Sequence, residues 1–119
     1  MIIDVHQEQD LEQLLQRSKT GPVLIFKHST QCSISTQAYE EFTEFMRGSQ
    51  ELLCGVVLVI EDRKVSNAIA NRFNVRHESP QCLLIKDGRA VWHASHWSIT
   101  PDSISEALTT YGQSAHQRN

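Results

Sequence analysis

The sequence predicts an α/β fold: a central mixed β-sheet, built from a parallel βαβ half and an antiparallel hairpin, flanked by helices. Three observations carry that prediction. Two short, continuous apolar runs, Val23-Leu24-Ile25-Phe26 and the one within Leu53–Ile60, have the β-rich, non-alternating character of strands covered on both faces. An amphipathic helix over Ser33–Arg47 lies between them, and strand, helix and strand form a right-handed crossover. Cys82–Lys86 and Arg89–Ser95 then flank Asp87-Gly88, a pair suited to a type I′ turn because both central residues need positive φ.

The remaining elements follow in order. Ile2–Val5 reads as a short first strand. Gln9–Ser18 sets Leu11, Leu14 and Leu15 at helical spacing among Glu, Gln and Arg, and stops near Gly21-Pro22. In the helix at Ser33–Arg47, Ile34, Ala38, Tyr39, Phe42, Phe45 and Met46 form one stripe, Glu40, Glu41 and Glu44 face away, and Gly48 ends it. A weaker helix over Lys64–Arg72 uses Val65, Ala68 and Ile69. Thr100 caps a closing helix with Pro101 in its first position, and Ile104, Ala107, Leu108 and Tyr111 supply its buried stripe. One domain is expected over 1–112, with a polar tail at 113–119 that frays.

Composition removes several function classes. The formal net charge of −3 gives no basic field for a phosphate backbone, so nucleic acid is not an expected partner. The start, Met1-Ile2-Ile3-Asp4-Val5-His6, has no basic region before a long apolar run, and no apolar run nears the roughly 18 residues of a membrane span. The expected address is the cytoplasm, the expected state a monomer. Three widely separated cysteines, Cys32, Cys54 and Cys82, do not make a disulfide scaffold there.

The chemistry gathers on Cys32. It falls just after a buried strand and at the mouth of a helix, in His28-Ser29-Thr30-Gln31-Cys32-Ser33-Ile34-Ser35. Unpaired N–H groups and the positive end of the macrodipole favour thiolate there, and thiolate is the attacking species in disulfide exchange. Lys27 and His28 offer positive charge nearby, and the Ser33 and Ser35 hydroxyls could hydrogen-bond the sulfur. Ser35 stands three residues on, where a dithiol protein would have its second cysteine. The motif is Cys-x-x-Ser, an internal Cys-x-x-Cys cycle is excluded, and monothiol chemistry remains. Ser79-Pro80 sits immediately before the hairpin, where a cis bond is expected and where the backbone could pair with an extended substrate.

The order of elements matches the thioredoxin-like fold, and Phe26-Lys27-His28-Ser29-Thr30-Gln31-Cys32-Ser33-Ile34-Ser35 with Glu78-Ser79-Pro80-Gln81 resembles the monothiol bacilliredoxins of the YtxJ type over roughly Ile2–Tyr111. The resemblance implies bacillithiol as co-substrate, no bound cofactor, and S-bacillithiolated proteins as partners, with Cys32 taking the small thiol. By the same reading Cys32 and Ser35 are the catalytic candidates, and Lys27, His28, Thr30, Ser33, Ser79 and Pro80 the substrate-binding ones. Lys27 and His28 are further read as contacts for bacillithiol carboxylates. Two departures stand out. Ser33 replaces the proline that the family places after the cysteine, which loosens the first turn. Phe26 occupies about the place where ordinary thioredoxins carry a buried acid.

Cys54 and Cys82 read as core residues, with Cys82 the better candidate for a resolving thiol because it lies two residues past Pro80. His93 and His96, three apart, point to opposite faces of a strand, so no metal site is expected. Trp92 and Trp97 read as packing or surface aromatics, and His77 and Glu78 as groove or plain loop residues. Two other functions compete with the oxidoreductase: a non-catalytic module that binds peptides or proteins, and a trap forming long-lived mixed disulfides.

Overall fold

β2 (Val23–His28) is the centre of the molecule, because its residues are covered on both faces. The structure, a computed structural model, describes residues 1–49 and 51–112. The tail expected at 113–119 lies outside the described residues. Around β2 stand β1 (Ile2–Asp4), α1 (Glu8–Arg17), α2 (Ser33–Arg47), β3 (Leu53–Leu58), α3 (Arg63–Phe73), β4 (Gln81–Lys86), β5 (Arg89–Ser95) and α4 (Pro101–Tyr111). The sheet order is β1-β3-β2-β4-β5. β1 and β2 run parallel to β3, whereas β4 runs antiparallel to both β2 and β5. This is the expected fold class.

Alternation along β2 divides the core. Val23 and Ile25 join a cluster with Leu11, Leu14, Val65 and Ile69 from α1 and α3. Leu24 and Phe26 face Ala38, Phe42 and Met46 of α2 and Ile104 of α4. Asp87 and Gly88 both take positive φ, at 53° and 76°, as the turn between β4 and β5 requires.

Five details differ from the sequence reading. β2 continues through Lys27 and His28, because both stay in the ladder opposite Val57 and Leu58. β3 ends at Leu58, where the Asp62 N–H closes a turn onto the Leu58 carbonyl at 2.8 Å, and Asp62 takes the N-cap position of α3 without a side-chain capping bond. α3 buries Ser66 with Val65 and Ile69, and Ala68 is only half-buried. Tyr111 is exposed, since the covered part of α4 ends at Leu108. A 3₁₀ turn, His96–Ser98, follows β5 and had no counterpart in the sequence reading.

Candidate active site

The sheet register brings four chain segments to one end of the molecule. Leu58 lies beside His28 at the close of β3 and β2, while Gln81 pairs with both Lys27 and Ser95. Ser29–Cys32, Val59–Asp62, Arg76–Pro80 and His96–Ser98 therefore emerge together. The His96 N–H reaches the Pro80 carbonyl at 3.0 Å, which fixes the 3₁₀ turn beside Pro80. The Ser79–Pro80 peptide bond is cis. His96 holds a left-handed φ of 54°, a strained position for a residue with a Cβ.

Cys32 is the N-cap of α2, with extended φ and ψ of −118° and 122°. It is half-buried and carries a free thiol. The Cys32 side chain makes no capping hydrogen bond and no acidic residue lies in the first turn, so the first turn itself carries no counter-charge to the positive helix end. The Cys32 N–H bonds the Ser29 carbonyl at 3.3 Å, closing the loop that presents the sulfur.

Ser35 does not bond that sulfur. Its buried hydroxyl accepts the Ser29 N–H at 2.9 Å and meets His28 Nδ1 at 2.7 Å. Burial pushes the His28 imidazole down, against an opposing pull from Glu61. A neutral ring with its proton on Nε2 would accept a hydrogen bond from the Ser35 hydroxyl at Nδ1. It also stacks on Tyr39, with centroids 4.6 Å apart. The expected positive charge at His28 is thereby corrected: the ring belongs to the loop's internal support.

Lys27 is corrected more strongly. It is 0% exposed and shares the face of Val23 and Ile25, opposite the face that carries α2. It cannot meet a ligand carboxylate beside Cys32. Its Nζ bonds His77 Nδ1 at 3.1 Å, and burial lowers its pKa to about 8. Thr30 and Ser33 are exposed on either side of Cys32, and Ser79 and Pro80 form the neighbouring loop. Trp92 packs partly against the α2 core, whereas Trp97 is 64% exposed at the same end of the sheet as Pro80. Burial of Lys27 was legible in principle, since it continues the Val23, Ile25 alternation. The Ser35–His28 contact had no sequence signal.

Cys54 and Cys82 lie in the core beneath α2, both fully buried. Burial raises the Cys54 thiol well above its ordinary value and pushes Cys82 up to about 12, so neither is a ready thiolate. Among the described residues no group of three or more His, Cys, Asp or Glu side chains could hold a metal ion. Nor is any helix among them long and apolar enough to cross a membrane.

Comparison with known proteins adds the family. The family model described as monothiol bacilliredoxin BrxC matches residues 3–104. A solved thioredoxin-fold protein described as an oxidoreductase is 32% identical, with a TM-score of 0.81, covering 89% of this chain and 92% of that one. Fasciola hepatica thioredoxin is 18% identical with a TM-score of 0.74, covering 91% and 97%. A Nicotiana alata thioredoxin is 15% identical with a TM-score of 0.75, covering 94% and 93%. The last two speak to the fold alone.

Proposed function

This chain belongs to the monothiol bacilliredoxin family and is a thiol–disulfide oxidoreductase, and from that premise we propose that Cys32 removes bacillithiol from protein mixed disulfides. The observation that carries the proposal is the pairing of a half-buried free thiol at an uncapped helix start with Ser35 in the place of a second cysteine.

The reaction balances in two exchanges. The Cys32 thiolate attacks the bacillithiol sulfur of a protein–bacillithiol disulfide. The protein thiolate leaves and takes up a proton, and a Cys32–bacillithiol disulfide forms. A second bacillithiol thiolate then attacks the bacillithiol sulfur of that disulfide, releasing oxidised bacillithiol and restoring the Cys32 thiolate. Ser35 cannot close an internal disulfide, so the adduct waits for an external thiol. Its hydroxyl instead holds the Ser29–Cys32 loop and the His28 ring. Thr30 and Ser33 flank the sulfur and are assigned to the small thiol, and the Ser79–Pro80 backbone to the protein substrate. The reaction is placed in the cytoplasm, where small thiols keep cysteines reduced.

Mass spectrometry after incubation with oxidised bacillithiol, and separately with oxidised glutathione, tests the reading. A selective bacillithiol adduct on Cys32, with transfer abolished in Cys32→Ala, is expected. Transfer that survives Cys32→Ala would refute it, and an adduct favouring glutathione would change the thiol.

A further inference from the structure

Lys27 is the anomaly that the reaction does not use. A fully buried lysine in an apolar face is costly, and a well-packed apolar residue of similar volume is often better tolerated. Its one side-chain hydrogen bond among the described residues runs to His77 Nδ1, at 3.1 Å. Gln81 is its cross-strand neighbour, so the two side chains share a face. Gln81 sends its Nε2 to the Arg76 carbonyl, at 3.0 Å. Two buried polar side chains from adjacent strands thus grip two consecutive residues, Arg76 and His77. The chain then turns through Glu78 to the cis Ser79–Pro80 bond. Among the described residues no side chain or backbone group hydrogen-bonds Gln81 Oε1 or Ser79 Oγ.

We propose that Lys27 and His77 are positioning residues that hold the Arg76–Pro80 loop in its substrate-docking arrangement, and that protonation of His77 releases the hold. This rests on the reading that the Ser79–Pro80 backbone docks the protein substrate. The chemistry of the tie is one-sided. An ammonium has only donors, so His77 must offer Nδ1 as an acceptor and carry its proton on Nε2. A protonated His77 would face Lys27 with a second donor, and the tie would break. His77 faces Lys27 on β2 and Arg63 on α3, with Glu78 next to it in the chain. His77 is itself largely exposed; partial desolvation and the two cations disfavour its proton, and Glu78 favours it, with a net downward shift. The tie is therefore intact at neutral pH and fails in acid, below the ordinary histidine range.

Transfer kinetics on an S-bacillithiolated protein test this, in wild type, Lys27→Met, His77→Leu and His77→Gln between pH 5 and 8. Lys27→Met and His77→Leu should raise KM about tenfold at pH 7.5, the worth of one charge-assisted bond, with kcat nearly unchanged. Gln offers an amide oxygen to the same ammonium and does not titrate. His77→Gln should restore the low KM and keep it flat into acid, where the wild-type KM climbs. Unchanged KM in Lys27→Met and His77→Leu overturns the proposal, as does an acid rise in His77→Gln like that of wild type. Amide hydrogen exchange at Glu78 and Ser79 gives a readout independent of turnover. It should quicken in Lys27→Met and His77→Leu only, and equal rates in all four proteins overturn the tie. Wild type that fails to transfer bacillithiol would sink the functional reading, while exchange still judges the tie.

Discussion

Ser35 shows how one side chain can replace another without taking over its work. A second thiol at this place would face Cys32, but the Ser35 hydroxyl turns inward to Ser29 N–H and His28 Nδ1. Ser35→Ala strips a part-buried N–H and a buried ring nitrogen of their partner. It should lower stability by about 1–3 kcal/mol, read as a shifted urea midpoint with an unchanged slope. The ring it supports has a pH signature. Burial holds the His28 pKa below the unfolded value near 6.5, so below that pH the unfolded chain binds more protons than the folded one. Stability is lost as pH falls through that window. In His28→Phe this contribution is absent, so wild type should lose ground to His28→Phe between pH 7.5 and 5, measured by urea denaturation at each pH. An unchanged difference would mean that His28 is not held neutral by the fold.

Elements were legible where their signal is local. Asp87-Gly88 specified its own turn, and Thr100-Pro101 its own helix start, with Thr100 Oγ1 accepting the Ser103 N–H at 3.0 Å. Thr100→Ala should therefore cost about 1 kcal/mol through loss of the cap. What the sequence hid depends on partners far along the chain. Lys27 looks like the polar end of a strand until β3 and β4 are seen to continue beside it. Its partner His77 lies 50 residues away, and no periodicity links the two. The 3₁₀ turn at His96–Ser98 likewise depends on the distant Pro80 carbonyl. Gly55 is a third such case. In β3 it lies between Ile3 and Ile25, and a Cβ there would sit 2.7 Å from Val5 Cγ2 and collide with Leu14 Cδ1. Val5 is β-branched and Leu14 is buried, so neither yields easily. Gly55→Ala should destabilise by about 1–3 kcal/mol through overpacking where β1, β3 and α1 meet, measured by thermal or urea unfolding.

Across the whole molecule the two faces of the sheet carry different duties. The α2 face holds Cys32, His28 and the two inert core thiols, and the α1–α3 face holds the buried lysine behind the Arg76–Pro80 loop. Lys27 makes that division measurable in stability. Its folded pKa, about 8, lies below the ordinary 10.5, so between those values the unfolded chain binds more protons and stability rises with pH. The gain lies above the unfolded value and is lost as pH falls through 8, a difference of about 3 kcal/mol. Cys54, Cys82 and Tyr39 are shifted upward by burial and act in the opposite sense, but they are common to wild type and Lys27→Met and cancel in the comparison. At pH 7 Lys27→Met should be the more stable protein, and its advantage should shrink as pH rises from 8 towards 10. Urea denaturation of the pair at pH 7, 8.5 and 10 measures the gap. A gap that does not change with pH would mean that Lys27 bears no burden of buried charge. A gap that closes, beside the raised KM of the same variant, would show a fold that gives up stability to keep its docking loop in place.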